Sequence, residues 1–205
     1  MAKLNVANII VGVGFVALGA TFAWPYMTAG RVARVENWAE TITAKLLDAA
    51  VENPWQDDAG DRASWAKELI TSVGGAEAAR LRVVEPPANA EPTGGGYLEG
   101  KHYAYAVLER PIGGASIRSG QPTPVEVYAW PLSSLGPART AFYFTGDGHR
   151  AYTHNLHSRY EGWRRPPRAG SGQAFHSDPR APGTYRAQDG ERWLKLPPKR
   201  QTPRR

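Results

Sequence analysis

An uncharged run near the N-terminus constrains this chain more than any other feature. From Leu4 to Trp24, 21 consecutive residues are uncharged and mostly apolar. As an α-helix this run is about 31 Å long, which matches the ~30 Å hydrocarbon core of a bilayer. Phe22, Trp24 and Tyr26 cluster at its end, as aromatic residues do at a membrane interface. The run therefore predicts a transmembrane anchor over residues 1–27.

A cleaved signal peptide is the alternative interpretation of the same run. Its charged region would be Met1–Lys3 alone, and the apolar run exceeds the roughly 7–15 residues usual in signal peptides. Cleavage after the small residues of Thr21–Ala23 would leave Trp24 at the new terminus. We therefore favour an uncleaved single-pass anchor.

Small residues recur along one side of the predicted anchor. Gly19 and Ala23 are four residues apart, a spacing that lets a second helix approach closely. The predicted helix-packing stripe consists of Gly12, Val16, Gly19 and Ala23. Other membrane subunits and lipid are the expected partners of this segment.

The residues after the anchor predict an α+β domain over 28–160. Apolar residues recur at helical spacing from Val32 to Leu46, which indicates an amphipathic helix. Alternating apolar residues in 97–109 and 125–130, and a glycine-bearing turn within 141–154, indicate strands and a hairpin. The predicted fold class is therefore α+β: one transmembrane helix, an amphipathic helix on a small antiparallel sheet of three to five strands, and an extended C-terminal tail.

This order of elements resembles that of type IV pilins and type II secretion pseudopilins. Pro25, the twenty-second residue counted from Leu4, stands where that family has a proline in its long N-terminal helix. The family's glycine before the cleavage point and its glutamate in the helix are replaced by Lys3 and Asn8. The resemblance implies an unprocessed anchor in a bacterial inner membrane, with the C-terminal domain in the periplasm.

Residues 161–205 form the predicted tail, which is rich in proline, glycine and arginine. Residues 159–205 hold 12 Lys or Arg against 4 Asp or Glu, whereas residues 1–158 hold 13 against 15. This composition favours a segment that becomes ordered on binding, so we expect it to dock on neighbouring subunits. The expected docking residues are Phe175, Tyr185, Trp193 and Leu196. Nucleic acid is not an expected partner, because no recognised binding motif accompanies the basic residues.

The residues that could carry chemistry do not form a recognisable set. The absence of cysteine excludes thiolate nucleophiles, disulfides and cysteine-ligated metals. His149, His154 and His157 are close in sequence, but His149 and His154 are an odd number of residues apart and would point to opposite faces of a strand. No serine, histidine and acid can be grouped by spacing. We therefore predict no catalytic residue, no metal site and no cofactor.

The sequence favours a non-catalytic, single-pass accessory or scaffold subunit that stabilises a large membrane protein complex. A bioenergetic complex, photosynthetic or respiratory, is the leading candidate. Two alternatives stay open. One is a divergent pilin-like or pseudopilin-like component of a secretion or filament system, and the other is a tethering protein whose basic tail binds anionic lipid or nucleic acid.

Overall fold

The computed structural model describes residues 6–55, 61–85, 95–109, 125–133, 135–155, 160–177 and 180–197. Within these ranges the side chains of residues 6–28, 77, 109 and 174–176 are outside the description. All statements below refer to the described part.

In the described part, three α-helices come before the first strand: α1 (Val6–Glu52), α2 (Arg62–Val73) and the single-turn α3 (Gly75–Ala78). Asp61 caps α2, because its side chain accepts a hydrogen bond from the Ala63 amide at 3.1 Å. Gly74 ends the helix with a positive φ of 63°, a conformation that glycine adopts at little cost. The helix therefore begins after an aspartate and ends before a glycine, as is typical of helix termini.

The strands form one antiparallel sheet of nine members. Strands β1 to β6 follow one another in chain order, and β9, β8 and β7 continue the sheet beyond β6. The strands are β1 (Arg82–Val84), β2 (Gly95–Glu99), β3 (Tyr103–Glu109), β4 (Val125–Pro131), β5 (Ala141–Thr145), β6 (Arg150–Thr153), β7 (Ala174–Ser177), β8 (Thr184–Ala187) and β9 (Arg192–Lys195). The small sheet of three to five strands in the predicted α+β fold class is therefore wrong, and the described part is a mostly β domain.

Both faces of the central strands are buried. Every residue of β4 is buried, and side chains alternate between faces along a strand. Val127 belongs to the hydrophobic cluster on the first face, and Tyr128 belongs to the cluster on the second. Two layers therefore cover the sheet, one on each side.

The second half of α1 and the helix α2 form the layer on the first face. Ile42 and Leu46 of α1 are completely buried against this face, and α1 crosses β3, β4 and β5. Among the described side chains of α1, Val35 is the first that packs on this cluster, and Arg31 and Arg34 are exposed. The helix continues N-terminal to these residues as far as Val6.

The described C-terminal residues form the layer on the second face and extend the sheet, so the predicted extended tail is wrong. Residues 160–173 lie across the second face and are called the strap from here on. Tyr185 and Trp193 are 2% and 0% exposed and pack among the aromatic residues of β4 and β5. They contribute to the core of this chain and are not free to anchor it on a neighbouring subunit.

The predicted membrane topology also needs correction. Within the described residues, no helix is both long enough and apolar enough to cross a membrane. This finding contradicts the transmembrane helix of the predicted fold class and the single-pass location in an inner membrane. The side chains of α1 that the structure describes begin at Ala29 and include charged residues such as Arg31, Arg34 and Glu40, which are costly in a hydrocarbon core.

Candidate functional site

The second face of the sheet holds a buried carboxylate that joins the strap to β4. Glu126 is 0% exposed. Its Oε2 accepts hydrogen bonds from the Tyr128 hydroxyl at 3.1 Å and from the Gly170 amide at 2.8 Å, and its Oε1 accepts one from Gln173 Nε2 at 3.3 Å. A buried charge is tolerated only with such partners. These bonds therefore fix the strap on the sheet.

Tyr128 extends the same network. Its hydroxyl oxygen accepts a hydrogen bond from the Gly172 amide at 2.9 Å, and its ring stacks on that of Tyr143 with the centroids 4.8 Å apart. A Cβ at Gly172 would lie 2.6 Å from Cγ of Tyr143. Only glycine at this position lets the strap approach the aromatic layer so closely.

A polar cavity of about 620 Å³ lies between the strap and the turn after β8. The hydroxyl of Tyr160 donates to Oδ2 of Asp189, and Oδ1 of Asp189 accepts from the Glu191 amide at 2.7 Å. The cavity is lined by Tyr160, Arg165, Pro166, Arg168, Ala169, Ser171, Gln188 and Asp189. Asp189 and Tyr160 are thus hydrogen-bonded to each other, and the bonds of Asp189 stabilise the turn after β8.

His149 belongs to the second face and contacts the C-terminal layer. Its Nε2 lies 2.8 Å from the hydroxyl oxygen of Tyr185, and that hydroxyl donates to the carbonyl of Gly172 at 3.0 Å. With the phenol proton directed at the carbonyl, the imidazole Nε2 is the donor to the phenol oxygen. In this arrangement the histidine orients Tyr185 and does not act as a base toward it.

The buried tyrosines stay neutral at ordinary pH. Burial raises the pKa of Tyr105 and Tyr128 well above the usual value of 10.0. Burial, followed by the charge of Asp189, raises the pKa of Tyr160 in the same direction. Phenols with raised pKa values resist ionisation. They are therefore poor candidates for nucleophiles or general bases.

The structure separates the histidines that are close in sequence. His149 contacts Tyr143 of the second face, whereas His154 contacts Tyr152, which packs on the cluster of the first face. His157 lies outside the described residues. Among the residues with described side chains, no three His, Cys, Asp or Glu are grouped so that they could hold a metal ion.

The other predicted site residues fall into two groups. Leu196 packs on the first-face cluster, and Phe175 is in β7, although its side chain is outside the description. Seven predicted residues lie in the helical backbone of α1 with side chains that are also outside the description: Gly12, Val16, Gly19 and Ala23 of the stripe, and Phe22, Trp24 and Tyr26 of the aromatic group. Their roles stay predictions.

Sequence reasoning missed the residue that organises the second face. Glu126 is the single charge in the apolar segment Val125–Trp130. A lone carboxylate inside an otherwise apolar strand is the signal that could have indicated a buried hydrogen-bond network. Its partners in the strap lie 44 and 47 residues further along the chain, where local patterns do not reveal them.

Comparisons of the chain with protein-family models, with curated proteins and with solved structures find no match. The resemblance to pilins and pseudopilins therefore stays a prediction.

Proposed function

We propose that this protein is a non-catalytic assembly subunit, joined to partner proteins through the N-terminal half of α1. The observation that carries the proposal is the length of α1 beyond the sheet. The helix runs without interruption from Val6 to Glu52, and Val35 is the first of its described side chains that packs on the sheet. The 29 residues before Val35 correspond to about 44 Å of helix.

The residue types of this extension support a buried role. The sequence carries no charge from Leu4 to Met27. A helical segment without charged side chains is normally covered by other protein, because exposed apolar surface is costly in water. A groove between helices of a partner protein would cover it and would leave the charged residues from Arg31 onward in solvent.

The chemistry of the second face supports the non-catalytic part of the proposal. The carboxylates of Glu126 and Asp189 accept hydrogen bonds from the strap and from neighbouring backbone. Tyr128 and Tyr160 have raised pKa values. These groups stabilise the layer that covers the sheet. The type of complex, photosynthetic or respiratory, stays a prediction from the sequence.

Substitutions in the extension test the proposal. Gly12 and Gly19 lie on one side of the helix at 100° per residue, and Gly14 lies almost opposite. Gly12→Leu and Gly19→Leu should each reduce the recovery of co-purifying subunits several-fold, because leucine prevents the close approach of a second helix. Gly14→Leu is the matched control and should recover them at the wild-type level.

Quantitative recovery of partners with a tagged full-length chain in mild detergent is the measurement. The thermal unfolding of the sheet domain should be the same in all three variants, since the substitutions lie outside it. Equal recovery with all three variants, or the absence of any stoichiometric partner, would contradict assembly through this half of α1.

A further inference from the structure

The end of the body from which α1 departs is basic and presents an exposed leucine. Arg31, Arg34, Lys101 and Arg139 are exposed there. The His102 carbonyl accepts a hydrogen bond from the Leu132 amide at 3.0 Å, which joins the loop after β2 to the loop after β4. Burial and then the charges of Lys101 and Arg31 lower the pKa of His102, so these two cations lie near it. We call this surface the basic end.

Leu135 is the apolar feature of the basic end. It is 97% exposed, although leucine is normally buried. Its amide donates to the Ser133 hydroxyl at 3.2 Å, and the Gly136 amide donates to the Ser133 carbonyl at 3.2 Å. A hydrogen-bonded turn therefore holds the leucine out from the body.

The opposite end of the body carries an aromatic cavity whose lining includes two acids. Trp55 and Trp65 meet edge to face with ring centroids 5.8 Å apart, and the Trp65 indole donates to the Asn53 carbonyl at 2.9 Å. Glu52 and Glu68 complete the lining together with Pro54 and Ser64. Both glutamates are exposed, and the cavity measures about 280 Å³. We call this surface the acidic end.

Helix α1 and strand β5 both run from one end of the body to the other. Glu36 contacts Thr140 just before β5, and Val51 lies beside Gly146 just after it. Val51 is 52% exposed. The 15 residues of α1 between these two contacts span about 22 Å. The two large apolar side chains exposed in the described part, Leu135 and Val51, are therefore at opposite ends of the body.

We propose that the body associates with a second copy of this chain head to tail, with Leu135 of one copy in the cavity formed by Trp55 and Trp65 of the next. The cavity is larger than one leucine side chain, and its aromatic walls would cover the exposed side chain of Leu135, which we call the knob. The cations Lys101 and Arg139 around the knob complement Glu52 and Glu68 around the cavity. Knob and cavity are different surfaces, so the contact is heterologous and continues as a chain or closes as a ring.

Sedimentation velocity of the full chain tests the proposal. A mild non-ionic detergent keeps the apolar sequence of α1 dispersed, so association through the body is measured by itself. The weight-average mass of the wild type should rise with concentration. Leu135→Ser should weaken association about tenfold or more, as loss of a central anchor does, and Glu68→Lys should weaken it because it places a cation opposite Lys101 and Arg139. Raising the salt from about 0.05 to 0.5 M should also weaken it, because the charges are exposed.

Mixing the two variants identifies the geometry. The Leu135→Ser chain keeps its cavity and the Glu68→Lys chain keeps its knob, so an equimolar mixture should form dimers and nothing longer. Glu85→Lys makes the same charge change at an exposed position in a different cavity, and it should associate like the wild type.

Three outcomes would overturn the proposal: a wild type that stays monomeric at all concentrations, variants that associate as well as the wild type, or a mixture that forms no dimer. The Gly19→Leu variant should self-associate normally under these conditions. The Leu135 and Glu68 variants therefore test head-to-tail docking, whereas the Gly12 and Gly19 variants test assembly through α1.

Discussion

Glu36 and Thr140 are 104 residues apart in the chain and are joined by two hydrogen bonds to one carboxylate oxygen. Oε1 of Glu36 accepts from the Thr140 amide at 3.1 Å and from its hydroxyl at 2.6 Å. The Thr140 carbonyl accepts from the buried hydroxyl of Tyr103 at 2.9 Å. This contact holds α1 on the sheet at the point where the helix leaves the body.

Replacing Glu36 should therefore destabilise the domain. Glu36→Ala removes a charge-assisted acceptor and leaves the partly buried amide of Thr140 without its partner, so we expect a loss of about 1–3 kcal/mol in the free energy of unfolding. Thr140→Val keeps the bond to the amide and should lose less. Asn37→Ala, at the next and exposed position of α1, is the control and should change stability by under about 0.5 kcal/mol. Urea unfolding measures all three, and equal stability of Glu36→Ala and Asn37→Ala would contradict a fixing role.

A methyl group at Gly172 should disrupt the packing of the strap. It would lie 2.6–2.9 Å from three atoms of the Tyr143 ring, which is already stacked on Tyr128. We expect Gly172→Ala to cost about 1–3 kcal/mol. The comparison is Gly30→Ala in α1, where a Cβ meets nothing within 4 Å and better helix propensity should stabilise by up to about 1 kcal/mol. Thermal unfolding should shift in opposite directions for the two variants.

Trp193 tests whether the C-terminal strands belong to the core. The side chain is 0% exposed and its ring lies 5.8 Å from Tyr143 and 6.2 Å from Tyr160. Trp193→Ala should cost about 3–5 kcal/mol, as expected for a large aromatic residue in a core. Trp193→Phe should cost much less. Among the described residues the buried indole nitrogen has no hydrogen-bond partner, so the substitution leaves no other group unpaired. A near-neutral Trp193→Ala would mean that the C-terminal layer is dispensable for folding.

The sequence predicts the central strands well because their signals are local. The residues of β4 and β5 lie where the alternation Val125, Val127, Ala129 and the segment from Ala141 to Thr145 indicate them. The hairpin of β5 and β6 has its turn at the predicted glycines. Each of these elements depends on residues within a few positions of one another, which is the range that periodicity covers.

The C-terminal strands escape sequence analysis because their pairing is not local. Strand β9 joins the sheet next to β6, with Ala151 opposite Lys195 and Tyr152 opposite Leu194. Arginines on the exposed side of β8 and β9, and prolines in the strap, give this region the composition of a disordered tail. The anchors Tyr185 and Trp193 fit a core only when the aromatic face of β4 and β5 is known. Composition alone therefore predicts docking on another protein.

The buried tyrosines should make the domain sensitive to alkaline pH. Burial raises the pKa of Tyr105 above the usual value of 10.0, and it does the same for Tyr128. Unfolded tyrosines lose their protons near pH 10, whereas the folded ones keep them, so above this pH the folded state binds more protons. The stabilisation from these phenols is complete below about pH 9 and is lost as pH rises through 10 and beyond. Urea unfolding between about pH 8 and 11 measures this decline.

Two conservative substitutions separate this titration from hydrogen bonding. Among the described residues, the hydroxyl of Tyr105 is buried without a partner, so Tyr105→Phe should be neutral or slightly stabilising at pH 7. It should also make the decline above pH 10 shallower by up to about 1.4 kcal/mol per pH unit, which is the contribution of one proton. Tyr103→Phe loses the bond to the Thr140 carbonyl and should cost about 1 kcal/mol at pH 7. Burial and the charge of Glu36 also raise the pKa of Tyr103. Tyr103→Phe should therefore make the decline above pH 10 shallower as well. A slope that neither variant changes would show that the alkaline loss of stability arises from groups other than these phenols.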